Sequence, residues 1–517
     1  MTGNAIMARK EKASITLFLS LILTLVFSLC FSLLEAARVQ ALGEIATRKL
    51  LLEMESMFGE YQPELWKDYG LLFLDGGDEG GKLNLTMLEG RRVEEASMER
   101  RNSGFYQMAL KNLEITEYAL ATDHAGLAFE RQACAAIQAQ LAAGAADALR
   151  DKLNKGKDLA RDGEGLEKQW ESAKDAMTKA DEIEKGKEAD IDISGNTLKK
   201  SSDGSNSDVS KETSAKPPGN LPENPVESVD LLKKSLTLNL VVENPAQISA
   251  KAFPVSDALH VRTKAQGSMK LPDGGVLDRF WFLQYLDHYF SCKTGAGKAG
   301  STEHALDYEL EYCVAGKGSD YENLETVVKE LLLVREAGNF MTIMQDGKKQ
   351  ALALEIATAA VGFTGLAPLI QAVQIGILLA WSYVESIMDV RCLLSGGRVA
   401  LVKAPSEWKS DVSLGEKAVA EKTEKTQSGK DGLSYREYLQ ILLLLAGEKA
   451  LVSRAMDIVE RNMMLREPAF RMDAQIHSVD VEALYTASPL FFDFITTGKI
   501  KDGTYHLRAD CGFAYLK

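Results

Sequence analysis

Hydrophobic and polar positions along this chain fall into an opening apolar run and a long mixed remainder. Residues 13–34, ASITLFLSLILTLVFSLCFSLL, carry no charged side chain. At about 1.5 Å rise per residue, the run is long enough to cross a hydrocarbon layer of about 30 Å as one helix. Arg9, Lys10 and Lys12 stand just before it. Basic flanks stay on the cytoplasmic side, so the pattern predicts a cytoplasmic tail over 1–12, a single-pass anchor over 13–34, and an extracellular remainder. A cleaved signal peptide is the rival reading, since Val39 and Ala41 satisfy small-residue cleavage rules. The apolar core of such a peptide is usually only about 7–15 residues. A prepilin-type cut near Ala13 is a further reading, although the fifth position of the resulting chain is hydrophobic rather than Glu. Glu35 and Arg38, three apart, pair on one helix face and mark the membrane exit.

Leu42, Ile45, Ala46, Leu50, Met54 and Phe58 then recur at three- and four-residue steps. The anchor is therefore expected to continue as one long helix to about Phe58, stopped by Gly59. Residues 71–74 read as an apolar strand closed by Asp75-Gly-Gly77, and 105–122 as one or two strands. An Ala-rich amphipathic helix is expected over 124–155, followed by polar sequence to about 190. Residues 194–228 are dominated by Ser, Gly, Pro, Asn and charge. Such a segment buries too little to offset its ordering entropy, and it reads as a disordered linker between an N-terminal part (35–193) and a C-terminal part (229–517).

In the C-terminal part the pattern predicts strands at 235–242, 305–314, 399–402, 470–484 and 505–515. Helices are expected over 277–290, 322–345 and 434–464, with a polar connection at 411–432. Residues 356–384 again lack charge. Gly362, Gly365 and Pro368 break that run into pieces short for a span, which favours a buried helical hairpin over 348–394. A second membrane helix is the alternative. Strands and helices without βαβ alternation give an α+β class.

The formal net charge of −14, from 60 Lys and Arg against 74 Asp and Glu, repels nucleic-acid phosphate, and no basic stripe interleaves with aromatics. Cys30, Cys134, Cys292, Cys313, Cys392 and Cys511 are dispersed, with no C-x-x-C clamp for zinc, and are expected mostly as buried thiols. Gly295-Ala-Gly297-Lys-Ala-Gly300 matches G-x-G-x-x-G. It follows an aromatic helix and precedes an expected strand, the wrong context for a dinucleotide, so a plain connection is expected. His124, His260, His288, His304, His477 and His506 form no H-x-x-x-H or H-E-x-x-H pair. Asp287 and His288 are adjacent on a helix and point apart. Trp281, Phe282, Tyr285, Tyr289 and Phe290 read as core rather than a ligand platform. There is no G-x-S-x-G elbow and no isolated carboxylate dyad. Catalytic, cofactor and metal residues are accordingly expected to be none.

Several segments carry a family resemblance. They are ASITLFLSLI with LLEAARVQA, ELWKDYGLLFLD, EYCVAGKGSDYENLETVVKELLLVREAGNF, WSYVESIMDVRCLLSGGRVALVK and LSYREYLQILLLL. Together they resemble an uncharacterised membrane-protein family of Gram-positive Firmicutes, a domain of unknown function found near Tad-type pilus or secretion genes. The 194–228 segment has no counterpart. The resemblance implies a TadE/TadG-like, pseudopilin-like or accessory component of a cell-envelope apparatus, with protein partners and homo- or hetero-oligomers, and offers no catalytic residue. The departure from the prepilin pattern stands against processing into a fibre. The expected function is a non-catalytic, membrane-anchored structural component. The alternatives are a tethered binding or adhesion module, and an enzyme whose site is scattered in sequence.

Overall fold

A computed structural model describes residues 3–98, 104–138, 143–184, 224–235, 237–242, 244–271, 279–297, 303–410, 432–491 and 500–516. Helix α1 (Gly3–Gly59) is continuous through the apolar run and beyond it. Its span-length portion, Ile15–Gly59, has a mean hydropathy of 2.6 in its most apolar window, of which only 6% is buried. The helix is therefore long and apolar enough to cross a membrane. Ser20 bonds back to the carbonyl of Leu17, and Thr24 to that of Ser20, so these hydroxyls are satisfied within the helix.

The second half of α1 lines an antiparallel sheet. Strand β1 (Leu74–Asp75) and strand β2 (Ala109–Leu120) pair with the long C-terminal strand described below, and α2 (Pro63–Tyr69) and α3 (Leu85–Met98) lie along the connections. Strands β3 (Arg398–Val399) and β4 (Leu433–Ser434) pair with each other elsewhere. Strand β5 (Gln475–Ala487) takes β2 and β7 (Thr504–Ala514) as neighbours, and β6 (Ile500–Lys501) pairs with β7. Val479, Val481, Ala483, Tyr485 and Ala487 alternate onto the face that meets Leu42, Ala46, Leu50, Met54, Met57 and Phe58 of α1. Closing these six α1 side chains contributes on the order of 10 kcal/mol before ordering costs. At the far end Phe58 meets Phe513 and Tyr515, with ring centroids 4.5 and 4.9 Å away, and its carbonyl accepts from the Tyr515 hydroxyl.

Between β2 and β5 the chain builds a helical unit with its own core. Its helices are α4 (Leu127–Gln138), α5 (Ala143–Gly163), α6 (Leu166–Glu184), α7 (Val226–Lys234), α8 (Thr237–Val241), α9 (Arg279–Tyr289), α10 (Glu309–Ala315), α11 (Asp320–Ile343), α12 (Gly347–Val361), α13 (Ala367–Leu394), α14 (Tyr435–Leu445) and α15 (Glu448–Met464). α13 packs against α6, α11 and α12. A Cβ on Gly376 of α13 would stand 2.4 Å from that of Ala173 on α6, so this crossing requires glycine. The apolar stretch 356–384 folds as the end of α12, a 3₁₀ turn at Gly362–Thr364, and most of α13, whose most apolar window is 61% buried. α6 and α7 share this one core, and α7 begins at Val226, so the last residues of the stretch expected as a linker over 194–228 are helical, with Val226 buried in that core. Most of that stretch, and of 411–432, lies outside the described residues.

Several local expectations are corrected. Residues 235–242 contain helix α8 rather than a strand, with Leu238 and Val241 buried one turn apart. Residues 305–314 end in helix α10. Its alternation of apolar residues misleads because Glu309 and Glu311 are also buried, as acceptors for main-chain amides. The single helix expected over 434–464 is broken at Ala446 and Gly447, both extended. The polar run to 184 is helical. Its buried side is Trp170 with Ala173, Ala176 and Ala180, whose small side chains carry little hydropathy.

Candidate functional site: the junction of helix and sheet

Where the apolar run of α1 ends, the helix presents Glu35 and Arg38 on one face, and both are fully closed off at 0% and 2% exposure. Arg38 Nη1 donates to Glu35 Oε1 at 2.7 Å and to the Ser488 carbonyl at 3.1 Å, and its Nε donates to the Phe105 carbonyl at 2.6 Å. Glu35 in turn accepts from the amides of Leu490 and Phe491, both at 3.3 Å. The pair thus ties α1 to the loop entering β2 and the loop leaving β5. Because the two charges cancel and their remaining bonds go to main-chain groups, the junction is closed without a net buried charge.

Around this latch lies a cluster of rings. Phe31 stacks on Phe491 at 5.3 Å and 5°, and Phe27 lies 6.3 Å from Phe31 along the helix. Phe105 is 6.4 Å from Phe491 and meets Tyr106 edge-on at 5.0 Å. The Arg38 guanidinium sits 5.7 Å from the Phe105 ring centre. The spacing of Glu35 and Arg38 was legible in sequence. Their partners were not, because Phe105, Ser488 and Phe491 meet only through the pairing of β2 with β5.

The other sequence candidates disperse. Gly297 packs against the end of α9, where a Cβ would fall 2.2 Å from the Tyr289 carbonyl, and the described chain resumes towards α10, so the glycine loop joins two helices. Gly300 lies outside the described residues. Asp287 pairs with Arg436 at 2.9 Å, while His288 packs on Tyr289. Phe282, Tyr285 and Phe290 are buried, with the Tyr285 hydroxyl on the Tyr69 carbonyl, and Trp281 packs partly buried against the same core. His260 pairs with Asp457 at 2.5 Å and His304 with Glu309 at 2.9 Å. His477 lies 3.3 Å from Gln132, and burial, aided by Arg131, lowers its pKa to about 4. His124 sits in a turn before α4, and His506 is exposed on β7. None of the six cysteines is in a disulfide. Among the described residues no group of three His, Cys, Asp or Glu side chains is arranged to hold a metal.

Two features went unread in sequence. One is a buried charge network joining Arg335, Asp389, Lys403 and Glu385 across α11, α13 and the loop after β3. The other is an open cleft of about 490 Å³ with Lys152, Lys155 and Asp162 beside Leu159, Met341 and Val402.

A family model described as "Family of unknown function (DUF5702)" matches residues 216–487, from before the start of α7 through the end of β5. No curated protein and no solved structure matches the chain.

Proposed function

The chain belongs to that family of unknown function, DUF5702, and from this premise we propose that it is a non-catalytic, single-pass structural or accessory component of a bacterial cell-envelope apparatus. The observation that carries the reading is α1 itself. One uninterrupted helix contains the span-length apolar run and then lines the sheet from Glu35 to Phe58, a length of about 35 Å. A tether needs only a flexible link. A helix locked at both ends of a sheet instead fixes the orientation of the attached domain to the membrane, as a force-transmitting or assembly part requires. The basic residues Arg9, Lys10 and Lys12 support a cytoplasmic N-terminus and an extracytoplasmic domain. The sequence resemblance extends the proposal to a Tad-like pilus or secretion system, with protein partners in the envelope.

The buried ionic groups of the Arg335 network are held by one another and by main-chain groups, which supports a structural role for them over a catalytic one. A second reading, a tethered binding module, is favoured by the cleft between α5 and the loop after β3. The test is made in intact cells with single-cysteine variants in a cysteine-free background. Val261→Cys, exposed on the helical unit, should react with a membrane-impermeant thiol reagent. Photo-crosslinkers at the exposed α1 positions Leu51 and Leu52 should yield discrete envelope adducts. An unreactive Val261→Cys overturns the orientation, and a chain that remains an uncrosslinked monomer overturns the apparatus reading.

A further inference from the structure

The latch at Glu35 and Arg38 fixes more than an orientation, because it sets how deep the end of the sheet lies. Phe31 falls within the apolar run 13–34, about 5 Å of helix rise before its end, yet its ring is stacked on Phe491 of the loop leaving β5. A loop that touches the last turn of a membrane span is itself at the level of the bilayer surface. Together with the loop entering β2 it presents Leu490, Tyr106 and Phe105 beside the uncharged polar Ser488 and Gln107, with no charged side chain among the described residues of the two loops. Leu490 is 52% exposed, Tyr106 48% and Phe105 42%. Among the described residues, the charges at the same level are Glu35 and Arg38, turned inward and neutralised.

We infer that this end of the sheet is a lipid-contacting surface, in which Phe105, Tyr106 and Leu490 enter the headgroup layer beside the emerging α1. The inference rests on the reading of residues 13–34 as a membrane span. Continuity with that span identifies the occupant as the bilayer rather than a protein. An amphipathic ring such as that of Tyr106 fits the boundary between headgroups and acyl chains, where its apolar body and its hydroxyl both find partners. The consequence is mechanical. The domain is fixed at one point by the helix and braced at a second by the aromatic end, which limits its tilting about the membrane exit.

The experiment uses full-length protein, free of native cysteines, in vesicles of phosphatidylcholine and phosphatidylglycerol. Nitroxide labels are placed singly at Leu490→Cys and Tyr106→Cys, at Leu21→Cys within the span, and at Val261→Cys as an exposed reference. Collision with oxygen, which concentrates in lipid, is compared with collision with a water-soluble nickel chelate. The expected result is an oxygen-to-nickel ratio several-fold higher at 490 and 106 than at 261, and lower than at 21. Ratios at 490 and 106 equal to that at 261, with 21 in lipid, overturn the lipid contact and leave the anchor standing. Shielding of 490 and 106 from both reagents overturns it in favour of a protein partner or a second copy. A water-accessible label at 21 overturns the span itself. As a second readout that keeps the cysteines, Tyr106→Trp should be quenched by brominated lipid, and Val261→Trp should not.

Discussion

The guanidinium of Arg335 donates two hydrogen bonds, at 3.1 and 2.9 Å, to one carboxylate oxygen of Asp389, and both residues are buried. The other Asp389 oxygen faces Lys403, which also meets Glu385. Arg335 reaches on to the carbonyls of Ala400 and Leu401 and to the Tyr438 hydroxyl. Four charges that sum to zero thus pin α11, α13, α14 and the loop after β3. Burial raises the Asp389 pKa, but Arg335 and Lys403 outweigh it and hold the carboxyl below the usual range.

Removing Asp389 should be among the most damaging single changes in the helical unit. Asp389→Ala leaves Arg335 without its carboxylate, and breaking a buried pair from one side costs about 3–5 kcal/mol. Chemical unfolding of the purified protein, followed by near-ultraviolet circular dichroism, should show that loss. Because the native carboxyl titrates below its unfolded value, its contribution is present above the unfolded pKa and disappears as pH falls through the native one. A loss below about 1 kcal/mol would mean that solvent already reaches the network.

The legibility of this fold followed burial symmetry. α1 was readable because one side of it is apolar at helical spacing, and β5 because its faces differ. α10 was misread because all of 309–314 is buried, so charge and apolarity no longer report which way a side chain points. The Arg335 network was invisible because Arg335 lies 50 or more residues from Glu385, Asp389 and Lys403, and each looks like an ordinary surface charge in sequence. Glu35 and Arg38 sit between these cases. Their spacing announced a pair, while their partners from 105 and 488–491 required the tertiary fold.

Unlatching the junction should loosen the loops without melting the helical unit. In Arg38→Ala the Glu35 carboxylate stays buried with only the amides of Leu490 and Phe491 as partners. If the variant loses about 3 kcal/mol locally, exchange protection at those two amides falls roughly a hundredfold. Amides of α13 should keep theirs. Hydrogen exchange read by mass spectrometry on the full chain separates the two regions, and uniform loss in both would mean that the sheet and the helical unit unfold together.

On the exposed face of the sheet, Glu114, Glu482 and Asp510 stand opposite one another across β2, β5 and β7. Like charges in directly opposed positions repel, and opposite pairs contribute roughly 0.2–1 kcal/mol. Glu482→Lys turns two repulsions into two attractions and should stabilise the sheet by about 1 kcal/mol at low ionic strength. Since all three side chains face water, the gain should shrink in about 1 M salt, where the screening length is roughly 3 Å. A gain unaffected by salt would point to packing by the lysine stem instead.

Glu311 should impose the opposite pH dependence to Asp389. Burial, opposed by the amide of Lys293 and the hydroxyl of Tyr435, pushes its carboxyl up to about 7 from an ordinary 4.5. Its Oε1 takes both of those bonds, and its Oε2 has no hydrogen-bond partner among the described residues. Between 4.5 and 7 the native state holds the proton more tightly than the unfolded chain, so stability falls as pH rises through that window, by up to about 3 kcal/mol for this group. Glu311→Gln removes the titration. The amide brings its own unsatisfied group to the Oε2 position, so absolute stability can move in either direction, and the pH slope is the specific readout. Unfolding free energy measured from pH 4.5 to pH 8 should decline less steeply in the variant than in the parent. Parallel slopes would show that Glu311 titrates as an ordinary carboxylate, and that water enters between α10 and Tyr435.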